Sequence, residues 1–255
     1  MTTALAPSFK QQMLDGHPQI GVRTQFCSPI VAEALGFCGF DYVYIDMEHS
    51  PNDLTSVMHQ CQALAGTGAH PVVRLPTNDA SIIQSLLDVG VENLVVPMVE
   101  SAEEARRAAA ATRYPPDGIR SAARSHRGNR YGTLDGYRHI AESRQCLIVQ
   151  IESRAAISRI AEIAAVEGVH GLLFGPADLA ADFGHFGNSE HPDVVGAIEG
   201  AIGAILAAGK LAGMSSGDPA QASHWVAKGC RFVSVAGDVP LRVGQAKRAL
   251  AAARG

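Results

Sequence analysis

Eight short runs rich in Val, Ile and Leu alternate with helix-forming segments along the whole chain, and no other feature restricts the fold as tightly. The runs are Ile20–Phe26, Tyr42–Glu48, Pro71–Leu75, Asn93–Val99, Cys146–Glu152, His170–Gly175, Lys210–Ser215 and Arg231–Gly237. Near-continuous apolar runs of this kind suit strands buried on both faces of a parallel sheet. The segments between them carry helix punctuation. Ser101–Thr112 opens on a capping-box pattern, Ser101-Ala-Glu-Glu104, and Asn78–Val89 has Asp79 near its start and Gly90 just past its end. Alternation points to a parallel α/β architecture. Eight repeats in 255 residues favour one closed (β/α)₈ TIM barrel spanning 1–255, with an open doubly wound sheet as the alternative. One connection stands out. Tyr114–Gln145 is long and rich in Pro, Gly and Arg, and only Gly136–Ser143 reads as helix. Long loops in compact domains are usually functional, and in a barrel that places this one on the active-site face.

Composition narrows the function. With 47% hydrophobic and 18% charged residues and a net charge of −4, the chain is globular and lacks the clustered positive field that a nucleic acid or membrane surface demands. Cys27, Cys38, Cys61, Cys146 and Cys230 are odd in number, with no Cys-x-x-Cys. That argues against a disulfide framework or a thiolate zinc site and for a reducing compartment. The opening MTTALAPSFKQQMLDG has no apolar leader core, so a cytoplasmic location is expected.

Alternation along the strands sorts the polar residues. In Tyr42–Glu48, Asp46 and Glu48 share the face opposite Val43, Ile45 and Met47, and His49 follows. In Cys146–Glu152, Gln150 and Glu152 share the face opposite Leu147, Val149 and Ile151. Arg74 ends the third strand, and the sixth runs into Gly175-Pro-Ala-Asp178. Inward charges cost several kcal/mol each unless paired or metal-bound, so the set needs a reason. It is either a structural ion-pair network or a site. Taken alone, Asp46 reads as an orienting group. Glu152 and Asp178 form a hard, oxygen-rich pair suited to Mg²⁺ or Mn²⁺. His49 can act as a general base, or merely bond Asp46 or a loop carbonyl. Gly175-Pro-Ala-Asp178 fits a helix start that receives a carboxylate, or a plain capped turn. His17, His59, His70, His126, His139, His185, His191 and His224 read mostly as surface or loop residues. The four lysines, Lys10, Lys210, Lys228 and Lys247, avoid the C-terminal strand ends. That disfavours a Schiff base and leaves carbonyl polarisation to a metal. No Gly-rich nucleotide loop follows a strand.

The segments Asp46-Met-Glu-His-Ser-Pro-Asn-Asp53, Pro71-Val-Val-Arg74, Leu86-Leu-Asp-Val-Gly90, Val95-Val-Pro-Met98, Arg113-Tyr-Pro-Pro-Asp-Gly-Ile-Arg120, Gln150-Ile-Glu152 and Gly175-Pro-Ala-Asp-Leu179 resemble, in order and over nearly the whole chain, the metal-dependent (class II) pyruvate aldolases, 4-hydroxy-2-oxoheptane-1,7-dioate aldolase type. Met47 stands where glycine is common in that family, and Met214-Ser-Ser-Gly217 and the Arg120–Arg130 stretch are also individual. The resemblance implies a (β/α)₈ barrel similar to citrate lyase β-type lyases, working as a homo-oligomer, often a hexamer built from dimers. It implies cleavage of a 4-hydroxy-2-oxo acid to pyruvate, or a related 2-oxo acid, and an aldehyde. Glu152 and Asp178 would hold a divalent cation (Mg²⁺, Mn²⁺ or Co²⁺), His49 would be the base, and Arg74 would stabilise the enolate. Gln150, Gly175, Pro176 and Ala177 would contact substrate, with Asp46 and Glu48 in support. Asp88 would raise the basicity of the histidine, although it ends a helix that runs away from the active face, so a neighbouring subunit is one way to supply it. One of Arg120, Arg124, Arg127 and Arg130 is a candidate to meet an acidic group on the aldehyde, the rest reading as solvated surface. Oxaloacetate decarboxylation, a coenzyme-A ester lyase and a binding barrel without turnover are the other readings.

Overall fold

The computed structural model describes residues 6–255; residues 1–5 of the opening segment lie outside it. Eight parallel strands close on themselves: β1 (Gln19–Thr24), β2 (Tyr42–Asp46), β3 (His70–Arg74), β4 (Asn93–Val96), β5 (Cys146–Ile151), β6 (Gly171–Phe174), β7 (Leu211–Ser215) and β8 (Cys230–Gly237). Each of the eight expected runs supplies one strand, and β8 pairs with β1 to close the ring. Residues just past several strands, such as Met47–Glu48 and Pro97–Val99, form the rim, with Met47 and Val99 still donating to the Arg74 and Gln150 carbonyls of the neighbouring strands.

Period-two alternation splits the apolar residues into two cores. Tyr42, Tyr44, Val72, Val95, Cys146, Ile148, Leu173, Leu211 and Phe232 fill the interior, sealed by Phe9 and Met13 of the helix Phe9–Leu14. Val43, Ile45, Val73, Leu94, Val149, Leu172 and Val233 point outward against the surrounding helices. Space inside is rationed. A Cβ on Gly21 would stand 2.2 Å from the Tyr42 ring, and one on Gly213 would stand 2.1 Å from the Phe232 ring. Small and large residues thus alternate to fill the lower barrel with side chains.

The helix punctuation is realised locally. Ser101 caps the helix Ala102–Thr112 by accepting the Glu104 N–H, while the Glu104 carboxylate turns back to the N–H of Glu100. Asp79 caps Ala80–Asp88. The long Tyr114–Gln145 connection is a correction to the expectation. It leads from the helix Ala102–Thr112 into β5, so it is an αβ connection. Helices return antiparallel to their strands, which puts such connections at the N-terminal end of the barrel, away from the active face. Contacts agree, because Arg127 donates to the Val89 carbonyl at the end of Ala80–Asp88. No helix among the described residues is long and apolar enough to cross a membrane.

Candidate active site

Asp46, Glu48, His49, Arg74, Gln150, Glu152 and Gly175–Asp178 come together at the C-terminal ends of β2, β3, β5 and β6. Arg74 is the hub. Its Nε and Nη2 donate to the two Asp46 oxygens at 3.0 and 2.7 Å, and Nη1 lies 2.6 Å from Glu48 Oε2. Asp46 is fully buried. Burial pushes its carboxyl upward, but the Arg74 bonds and charge, with the N–H groups of His49 and Glu48, hold it below the usual carboxylate range. Glu48 goes the other way, since burial outweighs the pull of Arg74. A guanidinium carries five donors; with two hydrogen-bonded to Asp46, the Nη groups keep N–H bonds for the cavity that Arg74 lines.

The turn after β2 is held by the backbone it decorates. The Asp46 carbonyl accepts from Asn52 Nδ2 at 2.7 Å and from the Ser50 hydroxyl. Asn52 is itself bonded by buried Gln60, and Asp53 then caps Leu54–Leu64 in a capping box with Ser56. His49 rides on this turn. Its N–H donates to Asp46, its carbonyl accepts from Gln25, and its exposed ring has Nε2 3.8 Å from Glu48 Oε2. Asn52, Gln60 and Ser50 escaped the sequence reading because amides and hydroxyls in a turn look like ordinary loop residues. The Ser-Pro-Asn-Asp order before a helix was their only signal.

Glu152 is buried just past β5. Its Oε1 accepts the Met98 N–H at 2.7 Å, and its Oε2 accepts from Gln150 Nε2. The Tyr44 hydroxyl donates to Gln150 Oε1 and so sets the orientation of that amide. Met98 takes a left-handed φ of 52° to present its N–H, a local strain of the sort that clusters at functional sites. Burial first, then the charges of Glu48 and Asp178, raise the Glu152 carboxyl to about 7. Asp178 sits exposed in the first turn of Pro176–Asp182.

The donor set suits a hard divalent cation. Glu152 is poorly stabilised as an anion, with the charges of Glu48 and Asp178 acting on it, and each of its oxygens has a further lone pair. Gly175 leaves the place open, since a Cβ there would lie 2.8 Å from Glu152 Oε2. Glu152 and Asp178 would hold the ion, leaving coordination positions for water and substrate oxygens. Beside this place opens a cavity of about 290 Å³ whose wall includes Arg23, His49, Arg74, Gln150, Ala177, Asp178 and the serines 189, 215, 216 and 234. Asp46 and Glu152 lie behind that wall, bonded to Arg74 and Gln150.

Asp88 is not brought to His49 within one chain. It sits at the opposite end of the barrel, where it is the counter-ion, at 2.7 Å, of a completely buried Arg120. Arg120 also stacks over Tyr114 at 4.6 Å. The loop arginines 120 and 127 are thus anchored at the opposite end of the barrel from this chain's own cavity, so within one chain neither meets the aldehyde. Replacing Asp88 by Ala should lower stability by about 3 kcal/mol, because it strands a buried cation. Urea unfolding with an unchanged midpoint would show that Arg120 does not depend on it. His126 is another correction, being buried against Tyr137 and 3.9 Å from Asp88. His185 and His191 stack at 3.4 Å beside Asp193. They form the one cluster of three His, Cys or acidic donors within 4.8 Å among the described residues.

Comparisons with known proteins agree with the fold. The chain is 43% identical over 240 residues, 94% of each protein, to 5-keto-4-deoxy-D-glucarate aldolase of Salmonella paratyphi C (strain RKS4594). That relative carries a different substrate name from the heptanedioate type the sequence resembles. Among solved structures, an HpcH/HpaI aldolase/citrate lyase family protein from Burkholderia cenocepacia J2315 superposes with a TM-score of 0.93 at 36% identity, covering 98% of this chain and 100% of that one. The HpcH/HpaI aldolase from Desulfitobacterium hafniense DCB-2 gives 0.90 at 26%, covering 98% and 97%. With residues 19–243 also matching the family description over every strand, the chain belongs to the HpcH/HpaI aldolase/citrate lyase family.

Proposed function

We propose that this chain, an aldolase-type carbon–carbon lyase by its family, reversibly cleaves 4-hydroxy-2-oxo acids to pyruvate, or a related 2-oxo acid, and an aldehyde. The observation that carries the reading is the gathering, at one barrel mouth, of a fixed guanidinium, a buried and poorly stabilised Glu152 carboxylate and an exposed histidine. Glu152 and Asp178 would hold a divalent cation (Mg²⁺, Mn²⁺ or Co²⁺), which would supply Lewis acidity toward the 2-oxo acid. The chain's own groups do the rest. Arg74, locked by Asp46 and Glu48, presents its free N–H bonds where the enolate oxygen gains charge, and it pays no reorganisation at that moment. His49 takes the proton of the 4-hydroxyl during cleavage and returns it to the alkoxide during synthesis. Gln150 and the Ala177 N–H at the helix start orient the 2-oxo acid, with Gly175 and Pro176 forming the wall beside them.

Asp88 can assist His49 only from another copy of the chain, which fits a homo-oligomer such as a hexamer. The substrate in the relative's name, 5-keto-4-deoxy-D-glucarate, supports an acid-bearing, oxygen-rich aldehyde half over an apolar one. His49→Ala should lower kcat by roughly 10²-fold or more, read in a coupled pyruvate-release assay with cation present. Near-normal turnover would take the base role away from His49.

A further inference from the structure

One charged group in the cavity has no use in the mechanism above. Arg23, on β1, is in register with Tyr44 of β2 and Gly237 of β8, and its side chain forms part of the cavity wall with His49, Arg74 and Gln150. Its Nε is buried and has no hydrogen-bond partner. No carboxylate stands within ion-pair distance of it among the described residues. The acid at the adjoining strand end is already spent: Asp238 accepts from the Thr24 hydroxyl at 2.9 Å and from the N–H groups of Gln25 and Phe26 at 3.0 Å. Those bonds fix the chain immediately after Arg23. They use up the Asp238 carboxylate and leave the guanidinium unneutralised.

The contrast with Arg74 is informative. Arg74 has two carboxylates of its own, whereas Arg23 has none. A guanidinium stays charged at any working pH and matches a carboxylate with a two-pronged fork. Leaving its Nε buried and unpaired is costly, and a partner that arrives with the substrate removes that cost. The cavity around it offers hydroxyls from Ser189, Ser215, Ser216 and Ser234, donors that suit further oxygens on the same ligand. Arg74 and the Gly175–Ala177 backbone already account for the 2-oxo acid head.

We propose that Arg23 receives a second carboxylate of the substrate, so that this enzyme selects dianionic 2-oxo acids. The inference rests on the aldolase reading of the same cavity. That second carboxylate has two sources: the far end of the aldehyde half, or carbon 3 of the 2-oxo acid, as in oxaloacetate.

The test compares wild type with Arg23→Gln and Arg23→Lys, all saturated with cation. Pyruvate release is measured from a 4-hydroxy-2-oxo acid with a terminal carboxylate, from its analogue without one, and from oxaloacetate. Binding of 2-oxoadipate and of 2-oxohexanoate, which lack the 4-hydroxyl, is measured by calorimetry. In Arg23→Gln the preference for dianion over monoanion should fall about 10–100-fold, chiefly through KM, as expected for a charge-assisted hydrogen bond. Arg23→Lys should keep part of it. Loss confined to the terminal diacid assigns the carboxylate to the aldehyde half; loss confined to oxaloacetate assigns it to carbon 3. A wild type without dianion preference, or a preference that survives Arg23→Gln in both binding and turnover, overturns the proposal. Absence of turnover from every substrate, with the binding preference intact and lost in Arg23→Gln, sinks the aldolase reading and leaves the anion subsite standing.

Discussion

Replacing Arg74 by Ala should lower kcat by about 10³-fold, the loss expected when a preorganised donor to a developing oxyanion is removed. Its second effect is on the fold. Asp46 is fully buried and takes two bonds from Arg74, while Glu48 is 2.6 Å from the same guanidinium. Removing the cation strands those acids, and breaking a buried pair from one side typically costs 3–5 kcal/mol, against a total domain stability of about 5–15 kcal/mol. The two effects separate with two further variants. Arg74→Lys keeps a charge but loses the fork, so it should fold and still lose about tenfold or more in kcat. In Arg74→Ala/Asp46→Ala the stranded acid is gone, so part of the stability should return while kcat stays low. If kcat recovers together with stability, Arg74 is a structural ion-pair partner only, and the enolate role assigned to it is wrong.

Legibility in the sequence followed the strength of the physical pattern. All eight strands were visible because a strand with helices outside and a packed interior must be apolar on both faces, as Ile45 and Tyr44 show on neighbouring positions of β2. The same alternation placed Asp46, Glu48, Gln150 and Glu152 on the inner side, since a one-residue slip would bury the wrong set. Connections were harder. Tyr114–Gln145 looked functional by length, yet its face is decided by whether it precedes or follows a strand, and the helix Ala102–Thr112 uses up the βα position first. Burial of loop residues was invisible too. Arg120 and His126 sit in a charged, Gly- and Pro-rich stretch that composition marks as solvated, and only the packing of Tyr114, Tyr137 and Asp88 around them shows otherwise. Arg23 was readable in principle. It occupies the inward position two residues after Gly21 in β1, and an inward arginine invites the question that Arg74 received. Its lack of any acidic neighbour became apparent only with the partners in view.

Exhaustive chelation should abolish turnover, and Glu152→Gln and Asp178→Ala should each reproduce most of that loss, about 10³-fold or more. The magnitude follows from the several kcal/mol that a Lewis acid contributes to stabilising developing charge, at 1.4 kcal/mol per decade. The two positions should differ in what else they change. Glu152 is buried, accepts the Met98 N–H and bonds Gln150, whereas Asp178 is exposed at a helix start. Asp178→Ala should therefore leave the cation-free melting temperature near that of wild type. Glu152→Gln keeps an oxygen for Met98 but turns an amide toward Gln150, so a shift in the cation-free protein is expected there. Cation binding supplies a readout independent of catalysis. An ion bound only by the folded chain adds about 2.7 kcal/mol of stability at a hundredfold excess over Kd, by mass action. Thermal unfolding with and without Mg²⁺ or Mn²⁺ should show a clear rise in wild type and little in either variant. A rise that persists in both variants would place the ion elsewhere, with the His185, His191 and Asp193 cluster as the first position to examine. Turnover that survives chelation would instead leave the enolate to Arg74 alone, a burden that one guanidinium already shared with two carboxylates is poorly placed to carry.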